Sequence, residues 1–400
     1  VIGLAFLVGA IQTKSLLQEI GIRPTGQNGY EEYLQAAELT RSEEAKSFAD
    51  WVPGQPFPGR PNFVVPLEVR REELRRFGRV LDLVARGNAK RVFDPRSSLG
   101  PDTLFPEFAS FRQISRFATR ASSVYAADGD TSRAAATLLD ILVFADNGAR
   151  GVLISNLVGA ANSAVALGAF VDLLPRLSRP DAVRVQRVVD GLLARPLAIR
   201  ETMAAEAAFG IAGIRQAFAK KNVKNVFVSD DEGGPDPRGK RWQRELETTS
   251  PSGRQRLLGV IQARIDARTR AMERIFAGPE RTWYDRFEAL DGMNEENPQD
   301  LADALMGQTT PIFSGSTNAA VRVRTQLRLL SLHARLVQYR WDHGRYPKSL
   351  DVTDPLTGEP YLYELHDDGT IRLASEGVPQ TGEIELKYVR PAKDDHEVAP

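Results

Sequence analysis

The stretch STNAAVRVRTQLRLLSLHARLVQYRWDHGRYP, residues 316–347, decides how the rest of the chain is read. Ala320, Val323, Leu327, Leu330, Ala334, Val337 and Trp341 recur at steps of three and four, the spacing of one helix face. Leu329, Leu332, Leu336 and Tyr339 form a second stripe beside the first, so the apolar face is broad. Arg322, Arg324, Arg328, Arg335 and Arg340 take much of the remainder. A helix with so wide an apolar side must be covered by other helices. Gly344 can adopt the left-handed conformation that ends a helix, and Pro347 prevents its resumption.

Outward from that helix, the chain supplies material of the same kind. It has 400 residues, 42% hydrophobic and 26% charged, enough for a substantial core in one large or several ordinary domains. Lys+Arg and Asp+Glu balance at 52 each, so no net field favours nucleic acid or anionic lipid. The absence of cysteine excludes disulfides, thiolate metal sites and thiol catalysis. Val1–Ile11 is almost wholly apolar. It is too short to span a bilayer, which takes roughly 20 residues. It is read as the tail of a signal anchor, the alternative being a buried helix end.

Asn28 is placed to cap a helix over Tyr30–Trp51, and Pro53, Pro56, Pro58, Pro61 and Pro66 then imply an extended strap. Helices are expected over 67–88, 108–127, 132–145, 152–174, 182–194 and 197–219, with breaks at Gly148, Pro175, Pro180 and Pro196. The segment Val152–Val171 carries no charge and could span a membrane by length; its Ser155, Asn156, Asn162 and Ser163 favour a central buried helix. Residues 220–250 read as a loop in which Asp230, Asp231, Glu232 and Asp236 gather without the spacing of a calcium loop. A further helix is expected over 254–276. Trp283, Tyr284, Phe287, Leu290, Leu301 and Leu305 then look like packing residues of a short helical connector. The fold class is mainly α: an irregular bundle of antiparallel helical hairpins with a small C-terminal antiparallel β module. The expected divisions are 1–12 (anchor tail), 13–66 (helix and strap), 67–307 (helical domain) and 308–400 (long helix and β module).

After the long helix the chain reads Gly344-Arg345-Tyr346-Pro347, then Asp354-Pro355-Leu356-Thr357-Gly358-Glu359-Pro360-Tyr361. Tyr361, Tyr363 and Leu365 alternate, His366-Asp367-Asp368-Gly369 is a hairpin turn, Ile371 and Leu373 return, and Ile384, Leu386 and Tyr388 give a third strand. This run of about 60 residues resembles the soluble part of the major pseudopilins of type II secretion systems. In that family a long helix ends in a Gly-x-Tyr-Pro turn, and a segment of the kind Asp-Pro-(small/aromatic)-Gly-x-Pro-Tyr opens a small antiparallel sheet. With Asn28-Gly29-Tyr30, Tyr33 and Ala36-Ala37, the whole chain is also similar to large membrane-anchored helical proteins of environmental bacteria. The resemblance implies an extracytoplasmic module in a bacterial envelope. Two features depart from it. The long helix is interior, and Ser375-Glu376-Gly377-Val378-Pro379 stands where the family has its calcium loop. The module is therefore read as a structural cap with no cofactor, and the sequence leaves open whether it binds calcium.

No nucleophile elbow, phosphate-binding loop, dinucleotide fingerprint or His-Glu-x-x-His occurs. His333 on the long helix reads as a packing or surface residue. His343 and His366, with Asp342, Asp367 and Asp368, are the one candidate metal grouping. Glu201 and Glu206 are candidate paired carboxylates, or else ion-pair partners of Arg200 or Arg215. The expected function is that of a non-catalytic structural or interaction protein of the envelope. It would be a helical platform anchored by its N-terminal segment, with protein partners and no nucleic acid, and with a link to a secretion or pilin-like system. The alternative is a hydrolase-type enzyme with a site assembled between helices.

Overall fold

The computed structural model describes residues 15–42, 66–96, 99–100, 103–219, 237–286, 299–309 and 314–386. Mainly helical hairpins form an irregular bundle, and a three-stranded antiparallel sheet follows the last helix. In chain order the helices are α1 (Leu16–Glu19), α2 (Gly29–Thr40), α3 (Leu67–Phe77), α4 (Arg79–Asn88), α5 (Glu107–Ala127), α6 (Thr131–Gly148), α7 (Leu153–Leu173) and α8 (Arg179–Leu193). They continue as α9 (Ile199–Ala219), α10 (Pro237–Thr248), α11 (Pro251–Ala277), α12 (Leu301–Thr309) and α13 (Ser314–His343). The strands are β1 (Leu362–Leu365), β2 (Ile371–Ser375) and β3 (Ile384–Glu385).

The helix ends follow local chemistry. Asn28 caps α2 through Tyr30 N, Asp130 caps α6 through Arg133 N, and Ser178 caps α8 through Asp181 N. Gly129 (φ 88°) makes the tight turn between α5 and α6. The helix expected over 67–88 is two helices, interrupted at Gly78, where the Leu81 amide bonds the Gly78 carbonyl in a tighter i→i+3 turn. The loop expected over 220–250 is a helix from Pro237 to Thr248. Proline is compatible with a first helical position, and Trp242 and Leu246, one turn apart, are both buried. The α2 helix ends at Thr40, short of the expected Trp51, and 43–50 lie outside the described residues. So do the proline strap up to residue 65, the acidic cluster of 230–236, Phe287, Leu290 and Tyr388.

Two hydrophobic cores result. The larger draws on α2, α4–α8, α13 and the sheet, with Tyr33, Phe111, Phe144 and Phe170 fully buried at its centre. Tyr33 meets Phe144 edge-on at 4.7 Å and Phe111 meets Phe144 at 5.2 Å. The smaller core joins α9–α12 through Ile214, Trp242, Leu246, Ile261 and Leu305. Leu153–Arg176, α7 with its short 3-10 extension, is long and apolar enough to cross a membrane, with mean hydropathy 1.7. It packs against α5, α6 and α13 and buries Asn156, Asn162 and Ser163 with Leu167 and Phe170.

The long helix α13 lies along α7 and α8 and carries β2 and β3. Leu330, Ala334 and Val337 are buried as the stripe predicts, but Ala320, Val323 and Leu327 are half-buried. The deepest positions instead include Val321, Thr325, Leu329 and Leu336, so the covered face is rotated relative to the first stripe. Trp341 is 57% exposed and Tyr339 38%: the last turn passes the edge of the bundle, where the Trp341 indole donates to the Leu177 carbonyl (2.9 Å). Polar bonds set the register against α8, from Ser331 to Asp190 (2.6 Å) and from Gln338 to Gln186 (2.9 Å). Gly344 (φ 73°) closes the helix with its amide on the Arg340 carbonyl. The sheet has order β1-β2-β3, pairing Leu362 with Ala374, Leu365 with Ile371 and Ser375 with Ile384. Asp354 organises its approach: one oxygen takes the Leu356 amide (3.0 Å), the other the Ser375 hydroxyl.

Candidate functional site

A cleft of about 520 Å³ opens between the segment leading into α2 and the chain between α4 and α5. Its walls include Ile20, Ile22, Arg23 and Thr25 on one side, Phe93, Arg96 and Leu104 on the other, and Asn28 and Glu31 at the base. The walls are brought together where α2 crosses α4. A Cβ on Gly29 would lie 2.2 Å from the Gly87 carbonyl oxygen, and one on Gly87 would lie 2.4 Å from the Tyr33 ring, so only glycine allows this approach.

Asn28 joins the walls. Its Oδ1 accepts from Tyr30 N (3.0 Å) and Phe93 N (3.2 Å), its Nδ2 donates to the Phe93 carbonyl (2.8 Å), and the next amide, Gly29 N, donates to the Arg91 carbonyl (2.9 Å). Glu31 holds the facing turn through Thr25 N (2.8 Å), Thr25 Oγ1 (2.8 Å) and Gly26 N (2.7 Å). Burial alone would raise the Glu31 pKa. The Thr25 and Gly26 amides, the Thr25 hydroxyl and the nearby Lys90 charge outweigh it and hold the carboxyl below its usual value.

Behind the cleft wall lies a buried cluster. Arg96 donates to Asp94 (2.9 Å), to Glu107 Oε1 (2.6 Å) and to the Leu104 carbonyl (3.1 Å), with its guanidinium 4.5 Å from the Phe105 ring centroid. The Tyr30 hydroxyl donates to the same Glu107 oxygen at 2.7 Å. Burial and the negative charge of Glu107 push the Tyr30 pKa far up, so it stays a neutral donor. Glu107 Oε2 is buried without a partner among the described residues. A second polar chain ties α2, α4 and α6: Tyr33 donates to Asn88 (2.7 Å), accepts from Asn147 (3.0 Å), and Asn88 reaches the Asp140 carbonyl (2.9 Å).

The residues singled out in the sequence are dispersed. Glu201 pairs with Arg150 (3.2 Å) and not with Arg215, the Arg200 side chain lies outside the described residues, and Glu206 accepts the Leu153 amide at 2.5 Å, so the two carboxylates do not act as a pair. Burial raises the Glu206 pKa, opposed by that amide. His343 stacks on Tyr339 and contacts its carbonyl (3.0 Å), Asp342 pairs with Arg179 (2.7 Å), and Asp368 caps Thr370 within the hairpin turn. No group of three or more His, Asp or Glu among the described residues is arranged to hold a metal ion. His333 is desolvated, its pKa pushed down to about 4 by burial.

Sequence reading missed the cleft, because Arg96, Glu107 and Glu31 lie in three different segments and match no spacing rule. The one available signal was Asn28-Gly29-Tyr30, read as a helix start but not as a junction. No protein-family model matches the chain, and no curated protein or solved structure matches it either.

Proposed function

We propose that the chain is a non-catalytic structural or interaction protein of the bacterial cell envelope. It is a helical platform held at the membrane through its N-terminal segment and capped by α13 and the small sheet, in a setting related to secretion or pilin-like systems. The observation that carries this reading is the use of polar groups at the cleft. Asn28, Glu31, Arg96 and Tyr30 spend their hydrogen bonds on backbone amides, carbonyls and one another. A general base or nucleophile needs a free lone pair aimed at substrate, whereas Glu31 is occupied on both oxygens and its proton affinity is lowered. Phe93 and Leu104, 51% and 76% exposed, stand at the same opening as apolar contacts. A structurally committed interior with exposed apolar side chains at its edge suits binding rather than turnover.

The test is protease accessibility of a C-terminal epitope on the full gene product, in intact cells and in membrane fractions. The reading expects the product in the membrane fraction with the epitope cleaved from outside. A soluble product, protected until cells are lysed, would remove the envelope reading and move a hydrolase-type enzyme forward.

A further inference from the structure

Most arginines whose surroundings are described here are engaged, but one helix carries three that are not. The α11 helix has six arginines against Asp266 and Glu273. Arg264 is held by Asp300 (2.6 Å) and Asp303 (2.5 Å), and Arg254 lies 5.7 Å from the Phe218 ring centroid. Arg256, Arg270 and Arg274 are exposed and form no ion pair among the described residues. Asp266 takes a bond from Gln262 instead (2.9 Å).

These three arginines share one face. Positions 256, 260, 263, 267, 270 and 274 follow one another at steps of four and three and are all exposed, while Leu258, Ile261, Ile265, Met272 and Ile275 on the far side are buried. Between Arg256 and Arg270 the exposed face carries Val260, Ala263 and Ala267, with Gly259 beside them. A Cβ on Gly259 would meet nothing within 4 Å. The result is a strip of small side chains, about 20 Å long at 1.5 Å per residue, with a cation at one end and two at the other and the exposed Asp266 beside it.

We propose that this face docks an amphipathic α-helix of a partner protein that carries carboxylates at both ends of a short apolar seam. The alternating steps of four and three are those at which two helices pair with a left-handed crossing. The small residues allow the axes to approach to about 8 Å. The forked guanidinium groups then meet carboxylates about fourteen residues apart on the partner. A second copy of this chain is disfavoured: antiparallel pairing sets Arg256 against Arg270 or Arg274, and parallel pairing sets each arginine against itself. A flat anionic bilayer would touch the arginine tips and leave the small-residue strip between them without a close partner. The inference stands apart from the envelope reading and does not rest on it.

The test uses the full chain and a labelled synthetic helix of about 21 residues with an Ala/Leu seam and glutamates fourteen residues apart; a copy with lysines in their place is the control. Fluorescence anisotropy is expected to show salt-sensitive binding of the acidic peptide only. The triple variant R256Q/R270Q/R274Q should weaken it tenfold or more. Ala263→Trp, which blocks close approach along the strip without changing charge, should do the same, with Ala267→Trp as a second probe if Ala263→Trp lowers the melting temperature. No binding of the acidic peptide to the wild-type chain overturns the proposal, as does equal binding to the Ala→Trp variants. Vesicles of phosphatidylglycerol that bind the wild type, and not the arginine variant, while the tryptophan variants bind them normally, would assign the face to lipid instead.

Discussion

At the residue scale, Glu31 shows a charged group used as a structural clamp. Its carboxylate replaces the missing partners of two backbone amides, and those amides depress its pKa despite burial. A depressed carboxyl contributes stability that is complete above its unfolded pKa near 4.5 and is lost as pH falls through the folded value. Glu31→Gln should therefore lower stability by about 1–3 kcal/mol at pH 7 and flatten the loss below pH 4.5, read by thermal melts across pH. His333 acts in the same direction through a different charge. Its neutral form is the folded one, with a pKa of about 4 against 6.5 unfolded. The stability it supplies is complete above pH 6.5 and is withdrawn as pH falls from 6.5 to 4. Half-buried as it is, the contribution is on the order of 2 kcal/mol. His333→Gln should remove that part of the pH dependence, so that the variant loses less stability than the wild type between pH 6.5 and pH 4, read by thermal melts across pH. Glu73 and Arg120 form a buried ion pair across α3 and α5, with side chains 6% and 3% exposed. Glu73→Ala strands the guanidinium and should cost about 3 kcal/mol or more in denaturant titration.

At the scale of elements, two tryptophans separate what periodicity can and cannot tell. Trp341 completes an apolar stripe and yet is 57% exposed, because a helix face is defined by spacing while its covering is defined by where the neighbouring helices end. Trp242 sits in a stretch broken by glycine and proline in its first half, and yet it is 6% exposed in the smaller core. Trp242→Ala should cost about 3–5 kcal/mol and Trp341→Ala about 1 kcal/mol, an ordering that reverses the one expected from the stripe alone. Guanidinium–carboxylate bonds escaped the sequence for the same reason. Arg324 and Arg328, which the sequence places outside the apolar stripes of α13, both reach Glu280, and Arg324 also bonds the Leu193 carbonyl at 2.8 Å. Helices, the Asn28 cap and the C-terminal hairpin were legible because their signals are local: Asn28, Gly344 and Asp368-Gly369 act within a few residues. The cleft was not, because its partners meet across separations of 65 and 77 residues, as in Asn28 with Phe93 and Tyr30 with Glu107.

At the scale of the molecule, helices from both ends of the chain share the larger core, while α9–α12 have a core of their own. Leu305, fully buried in the smaller core, is the natural probe of that division. Leu305→Ala should cost about 2–5 kcal/mol in α9–α12 and raise hydrogen exchange there, leaving α2 and α5 protected; uniform loss of protection would mean a single cooperative unit. The account of the whole rests on one claim, that the polar groups of the cleft hold the fold together instead of standing ready for chemistry. The most direct measurement is amide hydrogen exchange at Thr25 and Gly26 in the full chain and in Glu31→Gln. The account predicts slow exchange at both amides in the wild type and at least tenfold faster exchange in the variant, with the α5 helix unchanged. Fast exchange at Thr25 and Gly26 in the wild type would contradict it, because the Glu31 carboxylate would then be free to act on a ligand.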